Sequence, residues 1–191
     1  VLIDTYWRQP YIGLNPERLK RLMSATGTSG LYTPAQRARR DATVWTPVQG
    51  VLAPLQFTVF LASLGLVIYS LRTGLATDWA LGSVVAKTLL LYAIMVTGCI
   101  WEKVVFGQYL FAPAFFWEDV VSMGVMALHS AYLVVWVQGL WSASEQMALA
   151  LAAYAAYAFN AAQYLRKLRM ARLQARGHKA AVPLAPEGVH P

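Results

Sequence analysis

The sequence predicts an all-α integral membrane protein: a four-helix transmembrane bundle with a short interfacial or re-entrant aromatic segment between helices two and three. Three observations predict it. The 191 residues are 58% hydrophobic and only 13% charged, whereas a soluble domain carries about 25% charge. Four apolar stretches are each long enough to cross a hydrocarbon core of about 30 Å. The charge is pushed to the ends: residues 42–164 hold three basic side chains (Arg72, Lys87, Lys103), and the other thirteen of sixteen Lys and Arg flank them.

Residues 1–31 are mixed in character and read as a mobile N-terminal extension. They lack the continuous apolar core of a signal peptide and contain Arg8, Arg18, Lys20 and Arg21. Thr33-Pro34-Ala35-Gln36 is a helix start: the Thr hydroxyl caps, Pro suits the first turn, and Gln three residues on reaches back. The helix it opens carries Arg37, Arg39, Arg40 and Asp41, which suits the headgroup surface.

The apolar spans run from Val48 to Leu71, Ala80 to Ile100, Val120 to Leu140 and Met147 to Leu165. Polar breaks separate them at Arg72-Thr73-Gly74, at Glu102 to Asp119 and at Ser142 to Glu145, and Trp45, Trp79, Trp101, Trp117 and Trp141 fall at span ends, where indole rings favour the interface. Arg166, Lys167, Arg169, Arg172, Arg176 and Lys179 follow the fourth span. Basic flanks mark the cytoplasmic side, so an even number of spans puts both termini and the 101–119 connector inside. Gly177 reads as a helix stop, leaving 177–191 as a disordered tail after a four-helix transmembrane domain of residues 32–176.

The net charge of +7 is explained by these flanks and does not call for nucleic acid as a partner; the lipid bilayer is the partner it implies. Single Cys99 cannot form an internal disulfide. The sequence contains no phosphate-binding Gly-rich loop, HExxH, CxxC or nucleophile-elbow pattern. Of three His, two lie near the C-terminus, so a metal site built by protein alone is not expected.

The connector WEKVVFGQYLFAPAFFWED (101–119) is almost wholly apolar and aromatic between Val104 and Trp117, with acidic groups at both rims: Glu102, then Glu118 and Asp119. It reads either as an anchoring loop with solvated charges or as an aromatic binding floor with carboxyls placed for proton transfer. A carboxyl beside hydrocarbon holds its proton more tightly, because desolvation disfavours the anion, and a general acid at neutral pH needs that. Within the spans, Glu118, Ser122 and His129 share one helix face. His129 is read first as an interhelical hydrogen-bonding group. Gln49 and Gln56 share a face of span one, and Asn160 and Gln163 a face of span four; such amides join helices in lipid. Lys87 either snorkels outward or pairs with a buried carboxylate.

Three strings, YTPAQRARRDATVWTPVQGVLAPLQF (32–57), KTLLLYAIMVTGCIWEKVVFGQYLFAPAFFWEDV (87–120) and ALHSAYL (127–133), closely resemble the vinyl bacteriochlorophyllide hydratases, over roughly residues 32–170. The resemblance implies a hydro-lyase of bacteriochlorophyll biosynthesis, in the bacterial inner or intracytoplasmic photosynthetic membrane. It would add water to the C3 vinyl group of chlorophyllide a or a related bacteriochlorophyllide and leave a 1-hydroxyethyl group. No cofactor is required, and the substrate carries its own Mg. Carried onto this chain, it implies Glu102, Glu118 and Asp119 as the catalytic carboxyls. Substrate-binding groups would be Lys103 (with Arg166 and Lys167 as alternatives for the propionate), Gln108, Tyr109, Phe115, Phe116 and Trp117, and His129 as an axial ligand to the substrate Mg. It leaves open a homo-oligomer or contact with other pigment-biosynthesis enzymes. The rival reading is a non-catalytic pigment-binding or assembly subunit of a photosynthetic complex, which would need the aromatics and His129 but not the acids.

Overall fold

In a computed structural model, residues 31–181 are described; the expected extension over 1–30 and the tail from 182 onward lie outside them. Five helices follow in order: α1 Pro34–Ala42, α2 Trp45–Thr73, α3 Thr77–Phe106, α4 Phe116–Val137 and α5 Ala143–Ala181. Among the described residues there is no strand. Helices α2, α3 and α4 are each long and apolar enough to cross a membrane, and the protein is an all-helical membrane protein.

The side chains that α2 buries are Gln56, Phe60, Ser63, Val67 and Ser70, at helical spacing and mostly polar or small. Its outward side chains include Val51, Leu55, Phe57, Leu61 and Ile68. This is the reverse of a soluble helix. It suits lipid, where apolar surface needs no burial and helices associate through close packing and hydrogen bonds.

The long helices pack mainly as antiparallel pairs, α2 with α3 and α4 with α5, and α2 also meets α5. Polar contacts set the register. Gln49 Nε2 donates to Thr97 Oγ1 at 2.7 Å, and Ser63 Oγ lies 2.6 Å from both Ser83 Oγ and the Tyr154 hydroxyl. Tyr132 donates to the Leu81 carbonyl at 2.9 Å. α1 has the expected capping box: Thr33 N–H donates to Gln36 Oε1 (2.8 Å) and Gln36 N–H to Thr33 Oγ1 (3.3 Å). It is tied inward through Thr46, whose hydroxyl donates to the Arg40 carbonyl and accepts from the Trp101 indole.

Two expectations are corrected. The connector is shorter than 101–119, because α3 continues to Phe106 and α4 begins at Phe116. Glu102, Lys103, Glu118 and Asp119 therefore sit on helices, and only 107–115 are irregular. Gly107 ends α3 in the left-handed region (φ +91°), where a residue without Cβ is favoured. Gly177 does not stop α5, which runs to Ala181. One helical glycine costs only about 1 kcal/mol, too little to end a helix flanked by Gln174-Ala175-Arg176 and Lys179-Ala180-Ala181.

Candidate functional site

Glu102 on the last turn of α3 and Asp119 on the first turn of α4 are both buried, 4% and 5% exposed. Glu102 Oε1 accepts the Ala112 N–H at 2.8 Å, and Asp119 Oδ2 accepts the Phe111 N–H at 2.7 Å. The two carboxyl groups are close enough to interact, and two carboxyls held so near each other favour sharing one proton between them. Tyr164 on α5 reaches the same place, its hydroxyl 3.4 Å from Asp119 Oδ1. Asp119 thus accepts from a backbone amide and a phenol, and Glu102 from a backbone amide alone.

The connector that bridges these acids is held by its own ends. Lys103 Nζ donates to the Gly107 carbonyl at 2.8 Å and lies 5.2 Å from the centre of the Tyr109 ring. Gln108 Nε2 donates to the Leu110 carbonyl. Phe111 adopts a positive φ of 61°, a conformation that costs a residue with a Cβ about 1–2 kcal/mol; its amide is the one bound to Asp119. Ala112, beside it, is fully buried.

The aromatic residues divide into two sets. Phe115 is buried, 5% exposed, with its ring 5.8 Å from both Trp101 and Phe106 and 6.1 Å from Tyr164. Tyr32 stacks on Phe106, and burial lifts its hydroxyl pKa above the ordinary value against the opposing pull of Arg40. Tyr109, Phe111, Phe116 and Trp117 instead face outward, with Trp117 70% exposed. The connector backbone is thus a thin wall, with an aromatic outer surface and the two acids behind it.

Glu118 is drawn away from the pair: its carboxylate meets Lys167 of α5 in a short, part-buried ion pair. Lys103 and Lys167 are therefore engaged within the protein, while Arg166 lines a shallow depression with Phe159, Ala162 and Gln163.

His129 shares the buried face of α4 with Glu118 and Ser122, as its spacing predicts, but that face packs on other helices. His129 Nδ1 donates to the Val125 carbonyl at 2.8 Å, and Nε2 lies 3.1 Å from Lys87 Nζ. Both ring nitrogens are occupied and the residue is fully buried, so neither is open as an axial ligand. Lys87 also departs from both expectations. It neither snorkels nor meets a carboxylate, and its ammonium sits 3.7 Å from the centre of the Tyr157 ring, where the π-face attracts a cation.

Tyr164 was not anticipated as part of the site. The signal for it is the stripe Tyr154, Tyr157, Asn160, Tyr164 at three- and four-residue spacing in α5. Asn160 joins the same face, donating to Ser122 Oγ at 2.8 Å.

Residues 32–170 match the sequence profile of the 2-vinyl bacteriochlorophyllide hydratase (BCHF) family, nearly the whole described region. The chain belongs to the 2-vinyl bacteriochlorophyllide hydratase family. Among its relatives is the 2-vinyl bacteriochlorophyllide hydratase of Cereibacter sphaeroides, 66% identical over 143 residues, which are 75% of this chain and 89% of that protein. Another is the 2-vinyl bacteriochlorophyllide hydratase of Rhodobacter capsulatus, 63% identical over 150 residues, 78% of this chain and 87% of that one. No solved structure matches. Every residue of the carboxyl cluster, from Glu102 to Lys167, falls inside the stretch this hydratase family shares.

Proposed function

We propose that the chain is a hydro-lyase that adds water to the C3 vinyl group of chlorophyllide a or a related bacteriochlorophyllide, giving the 3-(1-hydroxyethyl) derivative. Membership of the hydratase family over residues 32–170 carries this reading, and the Glu102–Asp119 pair supplies a chemistry for it.

Hydration needs an acid to protonate carbon and a base to take a proton from water. A carboxyl pair sharing one proton divides these roles. Glu102, with the single amide donor, holds the proton and delivers it to the terminal vinyl carbon. The cation left on the carbon next to the macrocycle is delocalised into the ring. Asp119, with two donors to stabilise its charge, takes a proton as water attacks that carbon. Passing the proton back across the pair restores the starting state. The sum is one water added with no change of oxidation state, so no redox cofactor is called for, and the substrate brings its own Mg. Glu118, held by Lys167, positions α5 against α4 and does not transfer the proton.

The pigment is planar and apolar, and the outward rings of Tyr109, Phe111, Phe116 and Trp117 offer it a surface next to the acids. Its carboxylate is directed to Arg166, whose neighbours Phe159 and Ala162 are apolar. The apolar stretch 147–165 of α5 is read as a fourth span. That places α1, the connector and the basic end of α5 together on the cytoplasmic face of a bacterial inner or intracytoplasmic membrane.

The test is incubation of the purified protein with vinyl chlorophyllide in detergent. A product one water heavier, with absorption shifted to the blue by loss of the vinyl conjugation, supports the reading. Stoichiometric pigment binding without turnover would instead favour a pigment-binding or assembly subunit.

A further inference from the structure

One layer of the bundle, a helical turn deeper than the carboxyl pair, holds polar atoms that the packing does not explain. Gln56 on α2 is 1% exposed, and neither its Nε2 nor its Oε1 has a hydrogen-bond partner among the described residues. Asn160 on α5 gives its Nδ2 to Ser122, but its buried Oδ1 has no such partner. Gln146 and Gln163 also leave one buried oxygen each unpartnered; among the described residues Gln56 alone has both ends of its amide buried without a partner.

The register of α2 against α5 brings the first two together. Ser63 meets Tyr154 at 2.6 Å, and the Phe60 and Tyr157 rings lie 4.9 Å apart. The next step of three or four residues along these antiparallel helices brings Gln56 level with Asn160. From the other side, Ser122 of α4 fixes Asn160 in place. Donor and acceptors thus share a buried layer without bonding one another. Each such atom is destabilising if left unpaired, and buried polar groups are almost always paired by protein or by water. Water is the ligand that suits two to four mixed donors and acceptors.

The structure assigns to Gln56, Ser122 and Asn160 a buried water-binding site that supplies the water consumed by the reaction. Tyr164, one turn from Asn160, links the site to the acids, since its hydroxyl lies 3.4 Å from Asp119 Oδ1. The water enters the reaction from inside the bundle, while the pigment approaches from the lipid side of the connector. Water therefore need not cross the apolar face on which the pigment lies. The role of this water rests on the hydratase reading; the existence of the site does not.

Two measurements on the full chain in detergent test it. Hydroxyl radicals generated by a synchrotron pulse label side chains next to bound water. The buried rings of Phe60 and Tyr157 should be labelled in the wild type and protected in the Gln56→Leu/Asn160→Leu double variant. The same variant should lose about tenfold or more in kcat with little change in KM. Its thermal midpoint should change little, because the loss of the Asn160–Ser122 hydrogen bond is offset by replacing Gln56 Nε2, Gln56 Oε1 and Asn160 Oδ1, which lack protein partners, with apolar groups. Unlabelled rings in the wild type, or full turnover in the double variant, would overturn the inference. A wild type that labels but never hydrates pigment would overturn the water's role together with the hydratase reading, which separates that failure from the loss of the site itself.

Discussion

Glu102 and Asp119, from successive helices, grip adjacent residues of the connector between them, with the Ala112 N–H on one carboxyl and the Phe111 N–H on the other. The acids are therefore structural as well as chemical groups, and substitutions must be chosen to separate the two roles. Glu102→Gln keeps an oxygen to accept the Ala112 amide; Glu102→Ala leaves that amide unpaired. The alanine variant should lose about 1–3 kcal/mol of stability and the glutamine variant much less. Thermal unfolding of the two in the same detergent checks this.

His129 and Lys87 form a closed polar contact in the bundle core. His129→Leu strands the Lys87 amine and should cost about 2 kcal/mol. Adding Lys87→Met should recover most of the loss, since replacing both partners by apolar groups is nearly neutral. Pigment affinity, read by absorbance titration, should be unchanged in either variant. A loss of pigment binding at full stability would instead return His129 to the role of axial ligand.

The two aromatic sets should respond differently to truncation. Phe115→Ala removes a buried ring from among Trp101, Phe106 and Tyr164 and should cost about 3–5 kcal/mol. Trp117→Ala removes an outward ring and should stay within about 0.5 kcal/mol of the parent, while weakening pigment binding. Paired unfolding and titration curves separate the two effects.

Glu145 begins α5 in a reciprocal cap with Ser142. Its carboxylate accepts from both the Ser142 hydroxyl and amide (2.7 and 2.8 Å), and its own N–H donates to Ser142 Oγ. These bonds hold the Glu145 carboxyl pKa below its ordinary value. A carboxyl lowered in the folded state contributes stability that is complete above its unfolded pKa and is lost as pH falls through the folded one. The wild type should therefore be more stable than Glu145→Gln near neutrality, and the two melting points should converge as the pH drops below about 4.

The helices were legible in the sequence because lipid demands long apolar runs with polar punctuation, and α1 was legible from the Thr33/Gln36 cap. The ends of α3 and α4 were not, since polar residues such as Glu102 and Asp119 look like loop when read against hydropathy alone. They stay helical because the opposing helix and the connector amides satisfy them. Glu102 and Asp119 were legible as candidate acids, but their pairing was not. Spacing could not show that Lys167 would claim Glu118, nor that Tyr164 would reach Asp119 from 45 residues away. The place of His129 on the Glu118 face is legible from its spacing, yet its partner Lys87 lies 42 residues back, a contact only the packed bundle reveals.

The account turns on Glu102 and Asp119 acting as a proton-sharing pair. Single-turnover hydration of vinyl chlorophyllide by the wild type, Glu102→Gln, Asp119→Asn and Glu118→Gln tests this most directly, with each variant first shown to bind pigment. The account predicts that the first two variants lose about 100-fold or more, the usual scale of general acid–base catalysis, and that Glu118→Gln retains most of its rate. Full turnover in both Glu102→Gln and Asp119→Asn would contradict it.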